Sequence, residues 1–227
     1  MRVLHRLLLI ASLCLSPLAA AADPARILVF GDSLARGYGL PPGRGFVPAL
    51  SRWLEAEGAE VRLLNAGLSG DTTFGGRVRI HWALRRGADA VIVEIGGNDM
   101  LLGLAPELAE SNLDAILSAA GAGGRPVLLL GVTPWRGDPG WRARWRAMWP
   151  RLAARHHALL VPDLYAGIRA VPEERRGAML QRDGIHASER GVASMVRLVG
   201  PKILQLLSRL PAERQCVGEC AGAGALP

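Results

Sequence analysis

The chain has 227 residues, half of them hydrophobic, with 28 glycines, 15 prolines and a formal net charge of +7. That length suits one domain with a substantial core, and no second domain, internal repeat or long polar linker is visible between residues 23 and 210. The positive charge is almost all arginine, Lys202 being the sole lysine, and it is scattered without a nucleic-acid motif, so no nucleic-acid partner is expected.

Residues 1–22 read as a secretory signal. Arg2 and Arg6 precede an apolar run from Leu7 to Leu15, and the alanines that follow suit cleavage after Ala21 or Ala22. The run is too short to span a bilayer comfortably, and no further long apolar segment follows it, so the mature chain is expected to be periplasmic or secreted, without stable membrane insertion, and monomeric. Cys14 leaves with the signal. It does not read as a lipid anchor, since Leu13 precedes it where such a signal wants a small residue.

Short aliphatic runs recur at 26–30, 61–65, 90–95, 126–132 and 158–162, alternating with segments of helical periodicity. The runs are apolar on both faces, as in strands covered by helices on both sides. This pattern predicts an α/β fold: a three-layer α/β/α sandwich with a doubly wound, five-stranded parallel sheet over residues 23–210. Helical stripes fall at Phe46, Leu50 and Leu54, at Leu113, Ile116 and Leu117, and at Val192, Met195, Val196 and Val199. Trp141, Trp145 and Trp149 also share a helical face; packing is the default reading, an exposed lip for lipid-like substrates the sharper one. Residues 211–227 form an Ala/Gly-rich tail whose Cys216 and Cys220 can pair in an oxidising compartment. No Cys/His cluster has metal-ligand spacing, and no metal or organic cofactor is implied.

Ligands bind beyond the carboxyl ends of the strands in open parallel sheets, so the residues after each run are the candidates for chemistry. They are Gly31-Asp32-Ser33-Leu34, Asn65 through Asp71, and Gly96-Gly97-Asn98-Asp99, with Asp183-Gly184-Ile185-His186 before the last helix. Ser33 reads either as a helix N-cap or as a nucleophile at a strand-to-helix turn. A serine nucleophile needs an imidazole, and the imidazole a carboxylate, which His186 and Asp183 supply from one short loop. The other histidines compete poorly, because His5 leaves with the signal, His81 lies in a predicted helix, and His156 and His157 sit in an arginine-rich stretch. Oxyanion donors are available in the N–H of Ser33, the N–H of Gly70 and the amide of Asn98, although Gly70 and Asn98 also suit plain turns.

The four blocks GDSL at 31–34, LSGD at 68–71, GGND at 96–99 and DGIH at 183–186 resemble the signatures of the SGNH (GDSL-type) hydrolases, over roughly residues 26–207. Within that family the chain looks similar to the bacterial periplasmic thioesterase/lysophospholipase and arylesterase group. The resemblance implies a flavodoxin-like SGNH fold, with Ser33 as nucleophile, His186 as base, Asp183 orienting it, and Ser33, Gly70 and Asn98 as the oxyanion hole. Ala187 stands where relatives often carry proline, which should alter loop stiffness more than chemistry. The G-x-S-x-G elbow of α/β-hydrolases and the G-x-G-x-x-G of dinucleotide folds are both absent from these turns.

The expected activity is hydrolysis of a small-molecule ester or thioester, lipid-derived ones included, through an acyl-serine intermediate. Leu101, Leu102, Pro134 and Trp135 are the expected substrate-binding residues. A carbohydrate O-acetylesterase on the same parts and a non-catalytic binding protein on this scaffold are the alternatives.

Overall fold

The computed structural model describes residues 23–212. The signal expected at 1–22 and the cysteines at 216 and 220 lie outside the described residues. Five strands, β1 (Ala25–Gly31), β2 (Val61–Gly67), β3 (Ala90–Glu94), β4 (Val127–Leu130) and β5 (Leu159–Val161), form one parallel sheet in the order β2-β1-β3-β4-β5. All five expected runs are strands. Parallel neighbours need crossover connections, and helices supply them: α1 (Ser33–Arg36) and α2 (Phe46–Ala56) after β1, α3 (Thr73–Leu84) after β2, and α4 (Gly97–Leu101) and α5 (Pro106–Ala120) after β3. α6 (Pro139–Arg155) follows β4; the short α7 (Ala166–Arg169) and α8 (Glu173–Arg176) and the long α9 (Glu189–Leu207) follow β5.

Side chains alternate across a strand, and this divides the core in two. Ile27, Val29, Ile92, Leu128 and Leu130 point to the face covered by α2 and α9, where Leu50, Leu54, Met195 and Val199 are fully buried. Leu28, Phe30, Val91, Val93 and Leu129 point to the face covered by α3, α5 and α6, meeting Ile80, Leu113, Ile116 and Leu117. The three helical stripes read from the sequence are the buried faces of α2, α5 and α9. Trp145 and Trp149 are also core residues, which settles their part of the tryptophan stripe as packing.

The strand order reverses between β1 and β3, so chain leaves the sheet in opposite directions there and opens a crevice at the carboxyl end. Register aligns Gly31 with Gly67 on one side and with Glu94 on the other. The turns after these three strands therefore meet at one place. No helix among the described residues is long and apolar enough to cross a membrane.

Candidate active site

β1 runs straight into α1, whose first residue is Ser33. Asp32 caps that turn: its Oδ1 accepts the N–H of Leu34 at 3.1 Å. The turn lies hard against β3, since a Cβ on Gly31 would sit 2.6 Å from the Glu94 carbonyl oxygen and 2.8 Å from the Ala35 Cβ. Glu94 fastens the turn from below, its Oε2 accepting the N–H groups of Asp32 at 3.4 Å and Ala35 at 3.3 Å. Ser33 is thus fixed at the crevice floor, 9% exposed.

The loop before α9 brings the imidazole. The N–H of Gln181 donates to the His186 carbonyl at 2.8 Å, closing the loop at its base, and Gly184 takes the left-handed φ of +69° that the turn requires. Asp183 Oδ1 accepts the N–H groups of Ile185 and His186 at 2.9 and 3.0 Å, which aims Oδ2 at His186 Nδ1, 2.6 Å away. The other ring nitrogen, Nε2, lies 2.9 Å from Ser33 Oγ. Tyr38 lies beside the imidazole, ring centres 4.6 Å apart. Residues 153 positions apart in sequence thereby form a continuous hydroxyl–imidazole–carboxylate chain.

Asn98 stands in the first turn of α4, after Gly96 at φ +126°. Its Nδ2 donates to the Asp71 carbonyl at 2.8 Å and lies 3.4 Å from Asp32 Oδ2. That bond ties α4 to the turn carrying Gly70, which has φ +80°. Arg79 secures the same turn, donating Nε to Asp71 Oδ2 at 2.6 Å and its terminal nitrogens to the carbonyls of Ala66 and Gly31, both at 2.8 Å. Asp99 bonds the N–H and hydroxyl of Thr73 at 2.8 and 2.6 Å, locking α4 to α3.

Burial dominates the electrostatics. Desolvation raises the Asp32 carboxyl to about 6, against the Leu34 N–H bond, the nearby His186 and the Ser33 hydroxyl, while Asp71 adds to the rise. Glu94 is pushed well above its ordinary value by desolvation and then by the charge of Asp32, against the N–H bonds from Asp32 and Ala35. Tyr165 is raised by burial and by the charges of Glu94, Asp32 and Asp183. Asp183 goes the other way: its desolvation is outweighed by hydrogen bonds from the His186 ring and from the Ile185 and His186 amides, so it stays a carboxylate. A buried serine joined to an imidazole that a carboxylate orients is an arrangement that can pass the serine proton to the ring and leave the oxygen nucleophilic.

A cavity of about 600 Å³ opens over Ser33, Asn98 and His186. Leu101, Pro134 and Trp135 line it, as expected, but Leu102 does not and is 66% exposed. Gly70 is not part of the lining either; it sits next to the Asp71 carbonyl that Asn98 holds. Trp141 also lines the cavity, its indole N–H bonded to the Leu104 carbonyl at 3.0 Å. Sequence reasoning gave no role to Asp32, Glu94, Arg79 or Tyr165. Glu94 had a signal, a lone acid ending an apolar strand, whereas nothing local distinguishes Arg79 or Tyr165.

The profile of the GDSL-like Lipase/Acylhydrolase family matches residues 29–193. Among characterised proteins, Esterase TesA of Pseudomonas aeruginosa is 34% identical over 206 residues, covering 90% of this chain and 100% of that protein. Thioesterase 1/protease 1/lysophospholipase L1 of Escherichia coli K12 is 32% identical over 172 residues, 74% of this chain and 77% of its own. A crystal structure of TesA superposes with a TM-score of 0.73 at 34% identity, covering 80% of this chain and 99% of that one. The matched segment runs from within β1 into α9 and contains the serine turn, the Asn98 turn and the histidine loop, so the chain belongs to the GDSL-like lipase/acylhydrolase family and is an ester hydrolase.

Proposed function

We propose that this enzyme is an exported serine esterase that cleaves carboxylic esters or thioesters through an acyl-serine intermediate. The observation that carries this reading is the Ser33 Oγ–His186 Nε2 contact of 2.9 Å, continued by the 2.6 Å bond from His186 Nδ1 to Asp183. Ser33 Oγ attacks the ester carbonyl while His186 takes its proton; the Asp183 carboxylate fixes the tautomer and stabilises the imidazolium. His186 then protonates the leaving alcohol or thiol, and a water activated by the same ring hydrolyses the acyl-serine.

The oxyanion is met by the N–H of Ser33, the N–H of Gly70 and Asn98 Nδ2. The two hydrogens of the Asn98 amide go to the Asp71 carbonyl at 2.8 Å and to Asp32 Oδ2 at 3.4 Å, so Asn98 meets the oxyanion by giving up the longer bond to Asp32. The acyl group lies along Leu101, Pro134 and Trp135. Thioesters are included because the Escherichia coli relative is named a thioesterase and the same steps cleave either bond. Export follows from the basic, apolar and alanine-rich segments of residues 1–22.

Turnover of p-nitrophenyl esters of increasing acyl length is the test. Ser33→Ala should lose at least about 10⁴-fold in kcat while remaining folded, and the chain-length optimum reports the depth of the cavity. Full turnover by a folded Ser33→Ala protein would overturn the assignment.

A further inference from the structure

A second cavity, of about 530 Å³, adjoins the first and shares Thr133, Pro134, Trp135 and Arg176 with it. Its remaining lining is Arg142, Arg146, Arg169 and Asp163. Four guanidinium groups therefore surround one carboxylate. Of these four arginines, Arg169 alone forms an ion pair among the described residues, and its partner is Asp163. The Thr133 hydroxyl also bonds Asp163 Oδ2, at 3.0 Å. The single acid is thus already engaged, and Arg142, Arg146 and Arg176 have no carboxylate within ion-pair distance among the described residues.

Two of these side chains, Arg169 and Arg176, are held in place, while Arg146 is exposed. Arg169 is held through Nε by Asp163 and through Nη2 by the Thr133 hydroxyl, and its guanidinium lies 5.0 Å from the Trp135 ring centre. Arg176 Nη2 donates to the Arg169 and Val171 carbonyls at 3.3 and 3.2 Å, with its guanidinium 5.9 Å from the same ring. Three nitrogens nevertheless lie buried without a protein acceptor: Arg142 Nε, Arg169 Nη1 and Arg176 Nε. They belong to three different helices, α6, α7 and α8. Buried donors of this kind are rare in folded proteins unless something else satisfies them, and converging guanidinium groups select anions with several oxygens.

We propose that this arginine cavity is a binding site for a phosphoryl group. A tetrahedral phosphate offers oxygens in several directions, which suits a cavity lined by guanidinium groups from three helices better than a planar carboxylate does. Because Trp135 and Arg176 are walls of both cavities, a phosphate carried by an ester substrate can occupy the arginine cavity with its ester in the cavity over Ser33. This role in substrate choice rests on the esterase reading; the anion site itself does not.

Two arms separate the substrate's own phosphate from free phosphate. In the first, kcat/KM is compared for 1-acylglycerol-3-phosphate and the matching 1-acylglycerol, in the unaltered protein and in Arg142→Gln/Arg146→Gln. The phosphorylated ester should be preferred, and the double variant should reduce that preference about tenfold or more, through KM. In the second, calorimetry with inorganic phosphate should show binding that the double variant weakens by a similar factor. Weakened phosphate binding with an unchanged substrate preference assigns the site to free phosphate. If circular dichroism shows the variant folded and neither quantity changes, the proposal is overturned. If the unaltered protein cleaves p-nitrophenyl esters but neither acylglycerol, the role in substrate choice is overturned; if it cleaves no ester at all, the esterase reading fails, and the calorimetric arm alone decides the anion site.

Discussion

Asp183 illustrates how much one side chain can settle. One of its oxygens accepts two backbone N–H groups of its own loop and the other accepts the imidazole, so the loop conformation and the ring orientation are set by the same carboxylate. In the proposed mechanism this matters because a wrongly protonated ring cannot accept the Ser33 proton. Asp183→Asn keeps the size but presents an amide that can donate towards Nδ1. The variant should bind ester substrate with a near-unchanged KM and lose kcat by up to about 10⁴-fold, measured on a p-nitrophenyl ester. Undiminished kcat would show that the carboxylate has no part in the chemistry.

At the scale of elements, the decisive contact is the approach of the β1–α1 turn to β3. Gly31 permits it, and Glu94 pins it through the Asp32 and Ala35 amides. Gly31→Ala would put a methyl carbon 2.6 Å from both the Glu94 carbonyl and its Oε2, so the turn or the strand end must move. A loss of about 1–3 kcal/mol in urea unfolding is expected, together with reduced turnover because Ser33 moves with the turn. Unchanged stability would mean that the turn relaxes freely. Helix α3 shows where periodicity misleads. Phe74, Val78 and Trp82 recur every four residues yet are 65%, 70% and 63% exposed, while the helix packs through Thr73, Gly76, Ile80 and Ala83. Small residues let α3 approach the sheet closely, and the bulky stripe is left outside.

Across the whole molecule, a sheet buried on both faces carries an ionisable cluster at its carboxyl edge. Glu94 is buried with its folded-state pKa raised above the ordinary 4.5, so the folded state binds a proton more tightly than the unfolded chain. The contribution of this group to stability is therefore fully present below about pH 4.5 and is lost as pH rises through its folded value. Asp32, raised from 3.8 to about 6, acts in the same direction over that interval. Glu94→Gln removes one of these ionisations while keeping an oxygen for the two amides. Relative to the unaltered protein, its urea midpoint should rise between pH 5 and pH 8. Parallel pH profiles for the two proteins would show that Glu94 ionises in the fold without cost.

The sequence by itself determined the layers and named the candidate site residues. Five apolar runs gave the five strands, and the stripes of α2, α5 and α9 gave the buried helix faces, because burial on a sheet or helix imposes a period that the chain must carry locally. Ser33, Asn98, Asp183 and His186 were legible because each stands at a turn where a strand or loop ends, a position set by neighbouring residues. Tertiary structure decided what depends on approach between distant segments. The support of the serine turn by Glu94, the bracing of two strand ends by Arg79, the outward position of Leu102 and the meeting of Arg142, Arg169 and Arg176 around one cavity leave no periodic trace, since each joins residues whose spacing in sequence is arbitrary and whose contact exists only once the strand order β2-β1-β3-β4-β5 has brought them together.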